Sequence, residues 1–82
     1  LISLTPRVRA VLSRLGVRGA AELDGAASLS AAGLVDSFQM LELLVALEGE
    51  FAITIENREV LPENLDSIDG ITAFLARKHA PG

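Results

Sequence analysis

Apolar residues recur at helical spacing in three separate stretches of this sequence, and no stretch offers a strand that a second one could pair with. In the first, Val8, Val11, Leu12 and Leu15 follow the i, i+3, i+4, i+7 pattern of a helix buried along one side. Thr5 stands ahead of it as the expected N-cap, with Pro6 at the first helical position, where no N–H is needed. Gly16 is placed to end this helix in a left-handed conformation, with Val17 folding back on Leu12. In the second stretch, Asp36 and Gln39 have the spacing of a capping box. On a wheel of about 100° per residue, Met40, Leu43, Leu44, Leu47 and Phe51 gather into one core stripe. In the third, Ile68, Ile71, Phe74 and Leu75 are helically spaced behind Asp66 as the expected cap, and Gly70 weakens the first turn by about 1 kcal/mol relative to Ala. Residues 51–56 alternate like a strand, but an isolated strand has no ladder partner. Ile53 and Ile55 are therefore anchors of an extended loop, and residues 61–65 a short helical turn. The sequence thus predicts an all-α fold, a small antiparallel helical bundle of three main helices plus one short helix. The helices fall near 5–15, 36–51, 62–66 and 67–78, in a single domain over residues 1–82 with frayed termini. A long loop joins helices 1 and 2, held by Leu23, Leu29 and Leu34, with short helical turns near 20–23 and 30–33. A structureless loop of that length is uncommon unless it is functional.

Composition narrows what such a bundle does. Half of the 82 residues are hydrophobic, which excludes a disordered acidic tail. There is no Cys and a single His, so no disulfide framework, thiolate zinc site or His-rich metal site is expected. No apolar run approaches the ~18–20 residues needed to span a membrane, and no signal-peptide pattern is visible. The expectation is a cytoplasmic monomer without membrane association. Leu1 in place of an initiator Met is expected to follow a processing event, a trimmed tag or a domain cut. The net charge of -4 is segregated. Residues 1–18 carry four Arg and no acid, whereas residues 19–57 carry seven acids and no base. The acidic block repels nucleic acid and attracts a basic protein surface. The four Arg residues come with no aromatic platform or recognition motif, so nucleic-acid binding is not expected.

Two features of the second helix exceed what packing requires. Phe38, Leu41 and Val45 form a second apolar strip, although one buried stripe suffices for a helix in a small bundle. Ser37 occupies the first helical position after the long loop, where N–H groups lack internal partners and the helix dipole favours negative charge. A phosphodiester on its hydroxyl would meet a suitable field. An ordinary first-turn Ser is the plain alternative. A nucleophile there would need a base, and the only His is His79, far along the chain near the C-terminus.

The stretch Gly33-Leu34-Val35-Asp36-Ser37-Phe38 resembles the attachment motif of acyl and peptidyl carrier proteins, in which an Asp-Ser-Leu-type tripeptide opens the second helix. The similarity continues without a gap through residues 41–48 and Glu50-Phe51, and includes the first-helix pattern, the long loop, the short third helix and Phe74. It implies that Ser37 accepts 4′-phosphopantetheine from coenzyme A through a phosphopantetheinyl transferase, and that no residue of the chain is catalytic. The thiol of that arm would hold acyl or aminoacyl groups as thioesters, so the protein needs no Cys of its own. The implied partners are the transferase, an acyl- or aminoacyl-loading enzyme, and downstream synthase or tailoring enzymes. Asp36, Phe38, Leu41, Glu42, Val45 and Glu48 are the implied contacts, with Glu42 and Glu48 pairing with partner Lys or Arg. Two departures stand out, Phe38 in place of the commoner Leu and Gly49 within a usually acidic run. Asp36-Ser37-Phe38 and Pro62-Glu63-Asn64-Leu65 look most like discrete bacterial carriers of specialised pathways, including D-alanyl and alkoxymalonyl-type carriers. Six Arg to one Lys fits a GC-rich bacterial genome. The competing class is an unmodified helical protein-interaction domain, which composition and periodicity suit equally well.

Overall fold

The computed structural model describes residues 4–79, apart from the side chain of His79. Four α-helices follow one another: α1 (Thr5–Arg14), α2 (Ser37–Phe51), α3 (Pro62–Leu65) and α4 (Ile68–His79). A 3-10 turn, Asn57–Glu59, precedes α3, and no strand occurs among the described residues. The all-α bundle of three main helices and one short one is the architecture expected from the apolar spacing. The 3-10 turn was not foreseen, and the expected fraying at residues 80–82 lies outside the described residues.

Helix α1 begins one residue earlier than its sequence implies. The Val8 N–H donates to Leu4 O at 2.9 Å, so Leu4 is the N-cap, Thr5 the first helical residue and Pro6 the second. Pro is tolerated there for the same reason, since first-turn N–H groups have no helical acceptor. The far end follows the expected Schellman pattern. Gly16 has φ +86°, the Val17 N–H donates to Leu12 O at 3.0 Å and the Gly16 N–H donates to Ser13 O at 3.0 Å.

The buried stripe of α2 is Leu43, Leu47 and Phe51, with Met40 and Leu44 only half-buried at its margins. It packs with Val8, Val11 and Leu12 of α1 and with Ile68, Ile71, Phe74 and Leu75 of α4 in one core. Glu50, at the flank of this stripe beside Leu43 on the helix wheel, does not face open solvent. Its carboxylate accepts from Arg7 at 3.3 Å and Arg14 at 3.0 Å, because α1 passes that side of α2. The Arg7 guanidinium also lies 4.5 Å from the centre of the Phe51 ring, a cation–π contact.

The long loop is built into the bundle. Val17, Ala20, Leu29 and Val35 are buried, with Leu23 and Leu34 packed at the edge of the core. Arg9 Nη1 donates to Ala20 O at 2.9 Å and Leu23 O at 2.8 Å, stapling the first half of the loop to α1. The second half ends in another Schellman-type turn, with Gly33 at φ +72° and the Leu34 N–H donating to Leu29 O at 3.0 Å. The expected turns near 20–23 and 30–33 are present as turns and do not lengthen into helices.

Asp66 does not cap α4. Ser67 does, its hydroxyl accepting from the Gly70 N–H at 2.9 Å. The Asp66 carboxylate instead accepts from the Ser28 hydroxyl, from the Ser30 N–H at 2.9 Å and from the Ser30 hydroxyl at 3.0 Å. Together with Leu29 N–H donating to Asp66 O at 2.7 Å, these bonds clamp the loop onto the α3–α4 junction.

Candidate functional site

The loop clamp and the cap of α2 together fix the approach to Ser37. The Gln39 N–H donates to Asp36 Oδ1 at 2.8 Å and the Asp36 N–H donates to Gln39 Oε1 at 3.1 Å, completing the capping box read from the sequence. Asp36 is thereby committed to the helix start, and Ser37 follows it as the first residue of α2. The Ser37 side chain is exposed, and its hydroxyl makes no hydrogen bond among the described residues. Capping is thus done by Asp36, and the hydroxyl beside it has no structural work. It stands at a helix N-terminus whose first turn holds no acid, where a phosphodiester is favoured by the dipole and by unpartnered N–H groups.

Two hollows flank Met40 on this side of the molecule. One, of about 460 Å³, is lined by Ser30, Val35, Asp36, Ser37 and Met40. The other, of about 230 Å³, is lined by Ser30, Met40, Val60, Leu61, Pro62, Leu65 and Asp66 and is mainly apolar. Sequence reasoning missed Ser30, Met40 and Val60 as neighbours of the site. The exposed Val60-Leu61 pair before Pro62 was the one local signal, while Ser30 and Asp66 meet only through the fold. Burial pushes the Asp66 carboxyl up, but the hydrogen bonds from Ser28 and Ser30 outweigh it and hold the group below its ordinary value.

Along α2 from Ser37, Phe38 is 68% exposed, Leu41 61% and Val45 69%, so the second apolar strip faces outward along its whole length. Glu42 is exposed and forms no hydrogen bond or ion pair among the described residues. Glu48, expected beside it on the partner-facing side, is turned inward. Its Oε2 accepts from the Ile55 N–H at 2.8 Å and ties the chain leaving α2 back to the helix. His79 ends α4, and its side chain lies outside the described residues. No group of three or more His, Asp or Glu side chains that could hold a metal occurs among the described residues. No helix there is long and apolar enough to cross a membrane.

Comparison with known proteins yields one family. Residues 7–75 match the model described as the phosphopantetheine attachment site. No curated protein matches the chain. The residues present fit the group, since an exposed, unengaged hydroxyl opens a well-capped helix beside open hollows. With the match running from α1 into α4, the chain belongs to the family of carrier domains that hold a covalently attached 4′-phosphopantetheine.

Proposed function

We propose that residues 1–82 form a single carrier domain in which Ser37 bears the phosphopantetheine arm and α2 presents that arm to other enzymes. The observation that carries this reading is the Ser37 hydroxyl, exposed at the first position of α2 and free of any hydrogen bond among the described residues. When bound, the arm supplies a thiol on which acyl or aminoacyl groups ride as thioesters, chemistry that this Cys-free chain lacks. The chain's own residues position and present. Asp36 holds the helix start so that Ser37 faces outward, and the positive end of the α2 dipole favours the phosphodiester. Phe38, Leu41, Glu42 and Val45 form the face that partners cover, an apolar strip with an acid at its rim.

The partners are a phosphopantetheinyl transferase that installs the arm, an acyl- or aminoacyl-loading enzyme, and synthase or tailoring enzymes. Their pathway is polyketide, fatty-acid-like or nonribosomal peptide assembly in a bacterial cytoplasm, and the carrier itself catalyses no step. The test is incubation with coenzyme A and a broad-specificity phosphopantetheinyl transferase, followed by intact-mass measurement. The expected result is a mass gain of one phosphopantetheinyl group on the wild type and none on Ser37→Ala. Loss of this exposed hydroxyl changes stability by less than about 1 kcal/mol, because Asp36 provides the cap. A wild type that gains no mass overturns the reading in favour of an unmodified interaction domain. A Ser37→Ala chain that still gains it moves the site elsewhere.

A further inference from the structure

The start of α2 is not held by the core. The buried side chains of this helix are Leu43, Leu47 and Phe51, so residues 37–42 contribute none, and Met40 is only half-buried. The Asp36–Gln39 box keeps the first turn wound, but both of its bonds lie within the segment and travel with it. No hydrogen bond or ion pair joins residues 36–42 to another element among the described residues. The nearest anchor lies just upstream, where residues 28–34 close on themselves. The Ala31 N–H donates to Ser28 Oγ at 3.1 Å, the Gly33 N–H to Ser30 O at 3.1 Å and the Leu34 N–H to Leu29 O at 3.0 Å. Leu29 buries its side chain in the core, and every described hydrogen bond from this turn to α3, α4 or their junction goes to Asp66. Its carboxylate accepts from the Ser28 hydroxyl and from the N–H and hydroxyl of Ser30, and its carbonyl oxygen from the Leu29 N–H. Only Val35 and Asp36 separate the docked turn from Ser37, and Ser30 borders the same hollow as Ser37.

We propose that Asp66 is a positioning residue for the modification of Ser37. By holding Ser28 and Ser30, its carboxylate sets where the first turn of α2 stands against the rest of the molecule. It thereby sets the fraction of chains that present Ser37 in the place a transferase requires. The proposal rests on the reading of Ser37 as the attachment site. Asp66 acts through the loop, as a hydrogen-bond clamp. A transferase selects the docked form, so its apparent affinity falls in proportion to the docked fraction. Loosening the clamp therefore raises KM and leaves kcat near wild type, because every productively bound chain has Ser37 in the same place. The first half of the loop has no such role. Arg9 staples it at Ala20 and Leu23, on the far side of the docked turn from Ser37, so loosening there stops at the Asp66 clamp.

The test uses the intact chain, coenzyme A and a broad-specificity phosphopantetheinyl transferase, at a temperature well below the melting transition of every variant. Asp66→Ala raises KM for the chain by about tenfold with kcat near wild type, as for a docked fraction of about one-tenth. Amide exchange quickens at residues 29–34 and at Gln39 and Met40, while residues 43–51 stay protected. The double variant Ser28→Ala, Ser30→Ala removes two donors from the other side of the clamp and raises KM in the same way. Asp66→Asn recovers most of the loss. Its side-chain oxygen accepts from the Ser30 N–H, and its amide donates to the serine hydroxyls, which then act as acceptors. Arg9→Met loosens the first half of the loop and keeps a wild-type KM. A folded Asp66→Ala chain with unchanged KM overturns the assignment. Should Asp66→Ala not fold, unchanged KM in the double serine variant overturns it instead. An Arg9→Met chain with an equal rise in KM also overturns it, since any loosening of the loop would then suffice. A wild type that takes up no arm overturns the attachment reading, and the positioning role with it.

Discussion

Gly70 lies in the first turn of α4, where helix propensity alone favours Ala by about 1 kcal/mol. The packing reverses that preference. A Cβ at Gly70 would sit 2.6 Å from the carbonyl oxygen of Glu63, a backbone atom that cannot swing aside. Gly70→Ala therefore destabilises the protein, by about 1–3 kcal/mol as for other over-packed sites, measured by urea denaturation. Ala52 presents the opposite case. It ends α2 at φ 53° and ψ 48°, the left-handed region, without being Gly. That conformation costs an L-residue about 1–2 kcal/mol, of which the extra chain entropy of Gly returns about 0.5–1. Ala52→Gly is thus expected to raise stability by about 0.5–1 kcal/mol, seen as a higher urea midpoint with an unchanged slope.

Among the elements, the first half of the loop between α1 and α2 is stapled by an α1 side chain. Arg9 donates to two loop carbonyls, Ala20 O and Leu23 O. Arg9→Met keeps much of the aliphatic stem but leaves both acceptors unserved. The expected loss is about 1.5–3 kcal/mol, the worth of hydrogen bonds to a charged group. Amide exchange should then quicken first at residues 19–29 while α4 stays protected, and uniform quickening would show that the staple holds the whole bundle. Arg9 also marks the limit of what the sequence discloses. The Schellman end of α1 and the Asp36–Gln39 box were legible because each is a local pattern whose partners lie within five residues. The roles of Arg9, Glu48 and Asp66 were not, since their acceptors or donors lie 7 to 38 residues away and depend on how the helices pack. Asp66 was misread for a related reason. Asp and Ser are both good caps, and spacing cannot choose between Asp66 and Ser67. The reading of Ser37 as the attachment site, which we propose, comes only with the family motif around it, because a Ser in a first turn is common on its own.

At the scale of the molecule, three carboxylates tie stability to pH. Hydrogen bonds from Arg14 and Arg7 hold the Glu50 carboxyl below its ordinary value. The Glu56 backbone and Lys78 do the same for Glu59, and Ser28 and Ser30 outweigh burial at Asp66. All three bind protons more weakly folded than unfolded. The stability they contribute is therefore complete above the unfolded carboxylate range near pH ~4 and is lost as pH falls through their depressed folded values. Melting temperature should be flat between about pH 5 and 7 and decline below about pH 4, with a shallower decline in Asp66→Asn. The arginines have a counterpart consequence. Along the sequence, four cations followed by seven anions describe a strong dipole. Folding short-circuits it: Arg7 and Arg14 close on Glu50, Arg9 spends its donors on carbonyls, and Arg18 alone remains exposed without a partner among the described residues. A polyanion arriving at the basic end of the chain would find one unengaged guanidinium where the sequence displays four.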